Sequence, residues 1–207
     1  RRTFANTLKY IYTTTSANLG NMVSMALASL FLPFLPLLAG QILLNNLLSD
    51  VPAFGLADDA VDPEMADRPR RWDMRFLGRF MVEFGVLSSA FDLLTFGALL
   101  TVFHATPALF RTGWFVESLL TELAVALVVR TRRPFYKSRP GRVLALSTGG
   151  LFVLALAIPY LPFAAAVGFV RPPPSLMAAV VLIAALYVLA AEVTKRWFYR
   201  TPPPRRA

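Results

Sequence analysis

FLPFLPLLAGQILLNNLLSDVP, from Phe31 to Pro52, begins as a stretch apolar enough to enter a lipid bilayer and ends on two Asn, a Ser, an Asp and a Pro. In its first part Pro33, Pro36 and Gly40 stand within a few residues of one another with almost no polar linker. The chain turns there, and the apolar segments on either side form a tight hairpin. In its second part Asn46, Ser49 and Asp50 stand at i, i+3 and i+4, which on a helix puts three oxygen-bearing side chains on one face. Pro52 follows, and a proline there removes a donor, frees a carbonyl and is read as breaking the helix.

The rest of the chain has the same character. Its 207 residues are 56% hydrophobic and only 16% charged, with a mean hydropathy of +0.56, too apolar for an ordinary soluble domain. A hydrocarbon core of about 30 Å needs roughly 20 apolar residues per helix. Six segments approach that length, at about 9–31, 34–56, 76–103, 113–130, 143–166 and 175–195. Period-2 alternation in ten-residue stretches, the mark of a membrane barrel, is absent. The fold class is therefore an all-α membrane protein of six transmembrane helices.

A formal charge of +9 could suggest a nucleic-acid partner, but the basic residues are distributed by topology. With Arg1 in the cytoplasm and six spans following, every one of the 21 Lys and Arg residues except Arg111 and Arg171 falls on the cytoplasmic side. By the positive-inside rule this sets both termini in the cytoplasm of a multi-pass protein of the cell membrane, with no role for nucleic acid. The basic loop RTRRPFYKSRPGR, Arg130 to Arg142, fixes topology and is placed to touch anionic lipid head groups. Trp72, Trp114 and Trp197 fall near interfaces, where amphipathic rings are favoured, and each reads equally well as a packing residue. The polar stretch from Ala57 to Asp73 reads as a short ordered cytoplasmic loop, either a solvated linker or a docking surface. The tail TPPPRRA cannot continue a helix and is expected to be disordered. With no cysteine, disulfides and thiolate metal sites are excluded within the chain, and neither a cleavable signal peptide nor a phosphate-binding loop is present.

An ionisable side chain near the bilayer centre costs about 2.5 to 3.5 kcal/mol on insertion scales, so each one asks for a function or a partner. The candidates are Asp50, Glu83, Asp92, Glu117 and Glu122. Asp50 sits with Asn46 and Ser49 beside the carbonyl freed by Pro52, and side-chain oxygens with released carbonyls are what a hard cation takes as ligands. The first span offers a matching set in SANLGNMVS, where Asn18 and Asn21 are one turn apart. Across the hairpin Asn18 is read as facing Asn46 and Asp50 in ion contact, while Ser16, Ser24 and Asn45 are read as interhelical hydrogen-bonding glue. Glu117 is an extra ligand or gate, Glu122 pairs with another helix, and Asp92 and Glu83 are protonated or bonded to neighbouring Ser. His104 belongs to an outer loop.

Read in order, RRTFANTLKYI, SANLGNMVSMA, LPFLPLLAGQILLNNLLSDVP, DDAVDPE, RPRRWD, FGVLSSAFDLLTF, FRTGWFVESLLTE and RTRRPF resemble the C-terminal membrane region of a P-type ATPase, most closely its magnesium-transporting branch. The resemblance covers essentially the whole chain. It implies that the six spans are the last six of ten, and that Arg1 begins near the cytoplasmic end of the stalk-like fifth helix. It further implies a transported ion held by Asn18, Asn46, Ser49 and Asp50, with Glu117 as a supporting acidic contact. In related calcium pumps the position of Asn21 carries a carboxylate. The neutral residue here lowers the charge of the site, fits a single magnesium ion and puts a ligand role for Asn21 in doubt. ATP would be bound only by actuator, phosphorylation and nucleotide domains preceding Arg1, and the chain, which starts RRTF, reads as a piece of such a pump. Two rivals are weighed beside the magnesium reading: the same region of a pump for another cation such as calcium, and a stand-alone, non-catalytic membrane scaffold whose start codon would lie close to Arg1.

Overall fold

The computed structural model describes residues 2–57, 59 and 73–200, and the readings that concern Trp72, a docking role for the loop and the Pro-rich tail lie outside them. Among the described residues the protein is all helical. The six long helices are α1 (Arg2–Phe31), α2 (Ala39–Ala57), α3 (Met74–Gly97, continued by a π turn at Ala98–Val102), α4 (Pro107–Val129), α5 (Arg142–Ala157) and α6 (Pro174–Arg200). Short 3-10 turns occur at Phe135–Lys137, Ile158–Tyr160 and Ala164–Val167.

Helix ends follow local chemistry more than hydropathy. The α4 helix starts at Pro107, ahead of the expected 113, because Thr106 caps it by accepting from the Leu109 N–H at 3.3 Å and proline suits the first helical position. Asp73 caps α3 in the same way, accepting from the Arg75 and Phe76 N–H groups. Gln41 opens α2, reaching back to accept from the Leu38 N–H at 3.0 Å, as the third residue of a capping box does. The α5 helix stops at Ala157, short of the expected 166, because Pro159 follows and the chain tightens into 3-10 turns closed by Gly168 at φ +82°. Pro52 does not break α2, contrary to expectation: the helix continues to Ala57, and the missing donor is absorbed as membrane helices commonly absorb one.

Four helical stretches among the described residues are long and apolar enough to cross a membrane: Met74–Val102, Pro107–Val129, Arg142–Tyr160 and Pro174–Arg200. The first two helices fall short of that measure because of the polar residues they carry: Ser16, Asn18, Asn21 and Ser24 on α1, and Asn45, Asn46, Ser49 and Asp50 on α2. The fold is thus that of a multi-pass membrane protein whose first hairpin is its most polar part.

Packing puts α4 at the centre, against all five other long helices. From Phe110 to Val129 only Arg111 and Leu127 escape full burial, as expected of a helix apolar on every side. The most extensive pairing is α1 along α3, where small residues allow close approach. A Cβ added at Gly20 would come within 2.7 Å of the Ser88 Cβ, and the Ser89 hydroxyl donates to the Gly20 carbonyl at 3.0 Å. One core cluster joins Leu99, Phe110, Trp114, Phe115 and Leu176, and a second, nearer the start of α1, joins Leu8, Tyr12, Phe80, Phe84 and Phe198.

Candidate cation site

Because α1 and α2 turn their polar faces toward each other and toward α4, the hairpin encloses polar cavities beside the central helix. One, of about 290 Å³, is lined by Asn18 of α1, by Asn46, Ser49 and Asp50 of α2, and by Glu122 of α4, with Thr13 and Thr14 completing the wall. Four of the five residues read as ligands from the sequence therefore share one cavity. Asp50, Asn46 and Asn18 are exposed in it, and no described residue forms an ion pair or hydrogen bond with Asp50. A larger cavity of about 520 Å³ begins on the other side of Asn18 and Asn46 and is bounded by Asn21, Asn45, Trp114 and Ser118 with an apolar wall at Met22, Met25, Leu37 and Ile42.

Glu122 is the residue that joins these helices. Its Oε1 accepts from the side-chain amides of Asn21 and of Asn45, the latter at 2.7 Å, and from the Ser118 hydroxyl at 3.2 Å. Three neutral donors from three helices hold a carboxylate without neutralising it, so its charge remains available to a cation. The partner expected for Glu122 on another helix is thus Asn21 and Asn45 together. The expected choice between the two glutamates changes, because Glu117 does not line the cavity. Glu117 is completely buried, no described N–H or O–H group reaches its oxygens, and the group that faces it is the carboxyl of Asp92.

The glue residues divide. Asn45 bonds across to α4, and Ser24 crosses to α3, donating to Asp92 Oδ2 at 2.5 Å. Ser16 is no bridge: its hydroxyl returns to the Tyr12 carbonyl of its own helix at 2.7 Å. The serine that serves Asp92 is thus Ser24 rather than a sequence neighbour, and Glu83 pairs at 2.6 Å with Arg79 instead of a serine. Of the two readings of Trp114 the packing one holds: it is buried and donates its indole N–H to Asp92 Oδ1 at 2.8 Å. His104 is exposed between helices, at φ 44°.

A second polar centre, unread in the sequence, closes the bundle where α1 begins. Asp59, just past α2, has a fully buried side chain that pairs with Lys9 of α1 at 2.7 Å and Arg130 at the end of α4 at 3.3 Å and accepts from the Gly141 N–H at 2.9 Å. Its carbonyl accepts from Asn6 at 3.2 Å. Nearby, Lys195 of α6 pairs with Glu192 at 2.7 Å and donates to the Val128 and Arg133 carbonyls, setting a cation at the carbonyl end of α4. The acidic run around Asp59 hinted at this in the sequence, where it reads as a solvated linker or a docking surface.

The sequence that builds this site matches a known family. Residues 34–197 fit the model for the C-terminus of cation-transporting ATPases. The chain belongs to that family. As a cation-transporting ATPase C-terminal region it is 42% identical, over 205 residues, to the magnesium-transporting ATPase, P-type 1, of Escherichia coli K12. It is likewise 42% and 39% identical to two proteins of that name from Salmonella typhimurium LT2. Each alignment takes in 97% of this chain and 23% of the relative, so the chain spans about a quarter of the length of the relatives it matches.

Proposed function

We propose that this chain is the membrane half of an ATP-driven magnesium-transporting P-type ATPase, and that the cavity between α1, α2 and α4 binds the transported ion. The observation that carries the reading is the convergence of Asn18, Asn46, Ser49 and Asp50 on one cavity with Glu122. Amide, hydroxyl and carboxylate oxygens are the ligand chemistry of a hard cation. Two carboxylates among neutral oxygens balance one divalent charge, and the names of the relatives point to magnesium. Magnesium gives up its water reluctantly and commonly keeps several molecules of it, so an open polar cavity suits it better than a closed protein cage. In this reading Glu117 serves the site from behind, through the bundle, and not as a direct ligand.

All six long helices span the cell membrane in this reading, α1 and α2 crossing with their polar faces turned inward, and both termini are cytoplasmic. The Asp59 centre then lies on the cytoplasmic side. ATP is bound and the phosphoryl group transferred by actuator, phosphorylation and nucleotide domains elsewhere in the full-length protein, and α1 carries their movement to Asn18. Anionic lipid head groups meet the basic loop Arg130 to Arg142. Replacing Asp50 by Asn in the full-length protein is expected to abolish cation-stimulated ATP hydrolysis. A competition series with magnesium and calcium tests the ion, and calcium preference would overturn the magnesium reading in favour of its nearest rival.

A further inference from the structure

Asp92 of α3 and Glu117 of α4 face each other at the heart of the bundle, 1% and 0% exposed. No described Lys or Arg pairs with either. Two ionised carboxyls in contact, away from water and without a cation between them, repel strongly, so such a pair is stable only when something positive joins it. The donors around the pair are distributed unequally. Asp92 accepts on both oxygens, from the Ser24 hydroxyl at 2.5 Å and the Trp114 indole N–H at 2.8 Å. Glu117 accepts from no described donor, and both its oxygens are buried. A group placed among donors is the acceptor, and a group placed where there is none is satisfied by donating.

We propose that Asp92 and Glu117 are a proton-binding site, in which the Glu117 carboxyl O–H donates to the Asp92 carboxylate and the pair carries a single negative charge. A divalent cation is the poorer occupant, because the indole N–H and the serine hydroxyl already direct hydrogens at the Asp92 oxygens, and an indole nitrogen is no ligand for a hard ion. The other titratable groups facing the pair are Glu122, five residues along α4, and Tyr187 of α6, whose hydroxyl lies within hydrogen-bonding reach of Ser88; α1 contributes only the neutral Ser24. One consequence rests on the cation reading above: the carboxyls of Asp92 and Glu117 are withheld from the transported ion.

Infrared spectra of the detergent-purified full-length protein, recorded in H2O and in D2O without nucleotide, test the proton directly. The expected result is a protonated-carboxyl C=O band that is insensitive to added Mg2+, is lost in Glu117→Gln, moves in frequency in Asp92→Asn because its acceptor has changed, and persists in Glu122→Gln. If Glu117→Gln does not fold, the frequency change in Asp92→Asn carries the test. Absence of the band from the wild-type protein would overturn the proposal. So would a band untouched by both substitutions, or one that appears only when Mg2+ is chelated, which would make the pair a cation site. This test is independent of Asp50, so the proton site and the cation reading can fail separately.

Discussion

Asp50 and Asp59 are nine residues apart on one stretch of chain, yet the structure gives them opposite surroundings. Asp59 is buried, bound by Lys9, Arg130 and the Gly141 N–H, and complete without any ligand. Asp50 is exposed in a polar cavity with no partner among the described residues. Asp92 stands between them, buried but held by neutral donors and an acidic neighbour. What distinguishes a structural from a binding carboxylate in this bundle is the company each keeps. Cations close Asp59, neutral donors hold Asp92 and Glu122, and no described residue closes Asp50.

The contrast can be broken most severely at Asp59. Asp59→Asn takes a counter-charge away from the buried Lys9 and Arg130, and breaking such a pair costs about 3 to 5 kcal/mol. A large fall in thermal stability of the purified full-length protein is expected, against little change for Asp50→Asn; equal falls would remove the distinction. Trp114→Phe should cost less, about 1 to 3 kcal/mol, by leaving Asp92 Oδ1 without its donor. Its check is the same melting curve.

These rankings show what the sequence could and could not reveal. The apolar runs located the helices, and the i, i+3, i+4 spacing of Asn46, Ser49 and Asp50 put three cavity residues on one face. Asp59 was illegible because its meaning lies in Lys9 and Arg130, 50 and 71 residues away in the chain. The choice of Glu117 over Glu122 as the acidic contact went the other way in the cavity for a related reason. A helix buried on every side gives each of its residues a neighbour, and spacing along α4 does not say that the amides of Asn21 and Asn45 donate to Glu122 and not to Glu117. The sequence does not decide Trp114, because an amphipathic ring suits an interface and a buried carboxylate equally well. Pro52 misled because the rule for soluble helices overstates its effect inside a bundle.

Smaller effects sharpen the contrast further. Glu122→Gln removes one charge from the cavity while keeping a side chain that can still accept from the amides. A tenfold weaker Mg2+ affinity is expected, about 1.4 kcal/mol, read from a binding isotherm. At the low end, Glu83→Gln breaks the i,i+4 pair with Arg79, which is partly exposed, and should shift stability by no more than about 0.3 to 0.5 kcal/mol. A loss as large as that at Asp59 would show that burial does not set the ranking.

Asp50, without a partner among the described residues, is held to await a cation. Isothermal titration of Mg2+ into the purified full-length protein and its Asp50→Asn variant, without nucleotide, tests it most directly. The account predicts binding to the wild-type protein and at least about tenfold weaker binding to the variant, a loss of about 1.4 kcal/mol or more, with an unchanged melting temperature in the absence of Mg2+. A variant that binds Mg2+ as tightly as the wild type would contradict it.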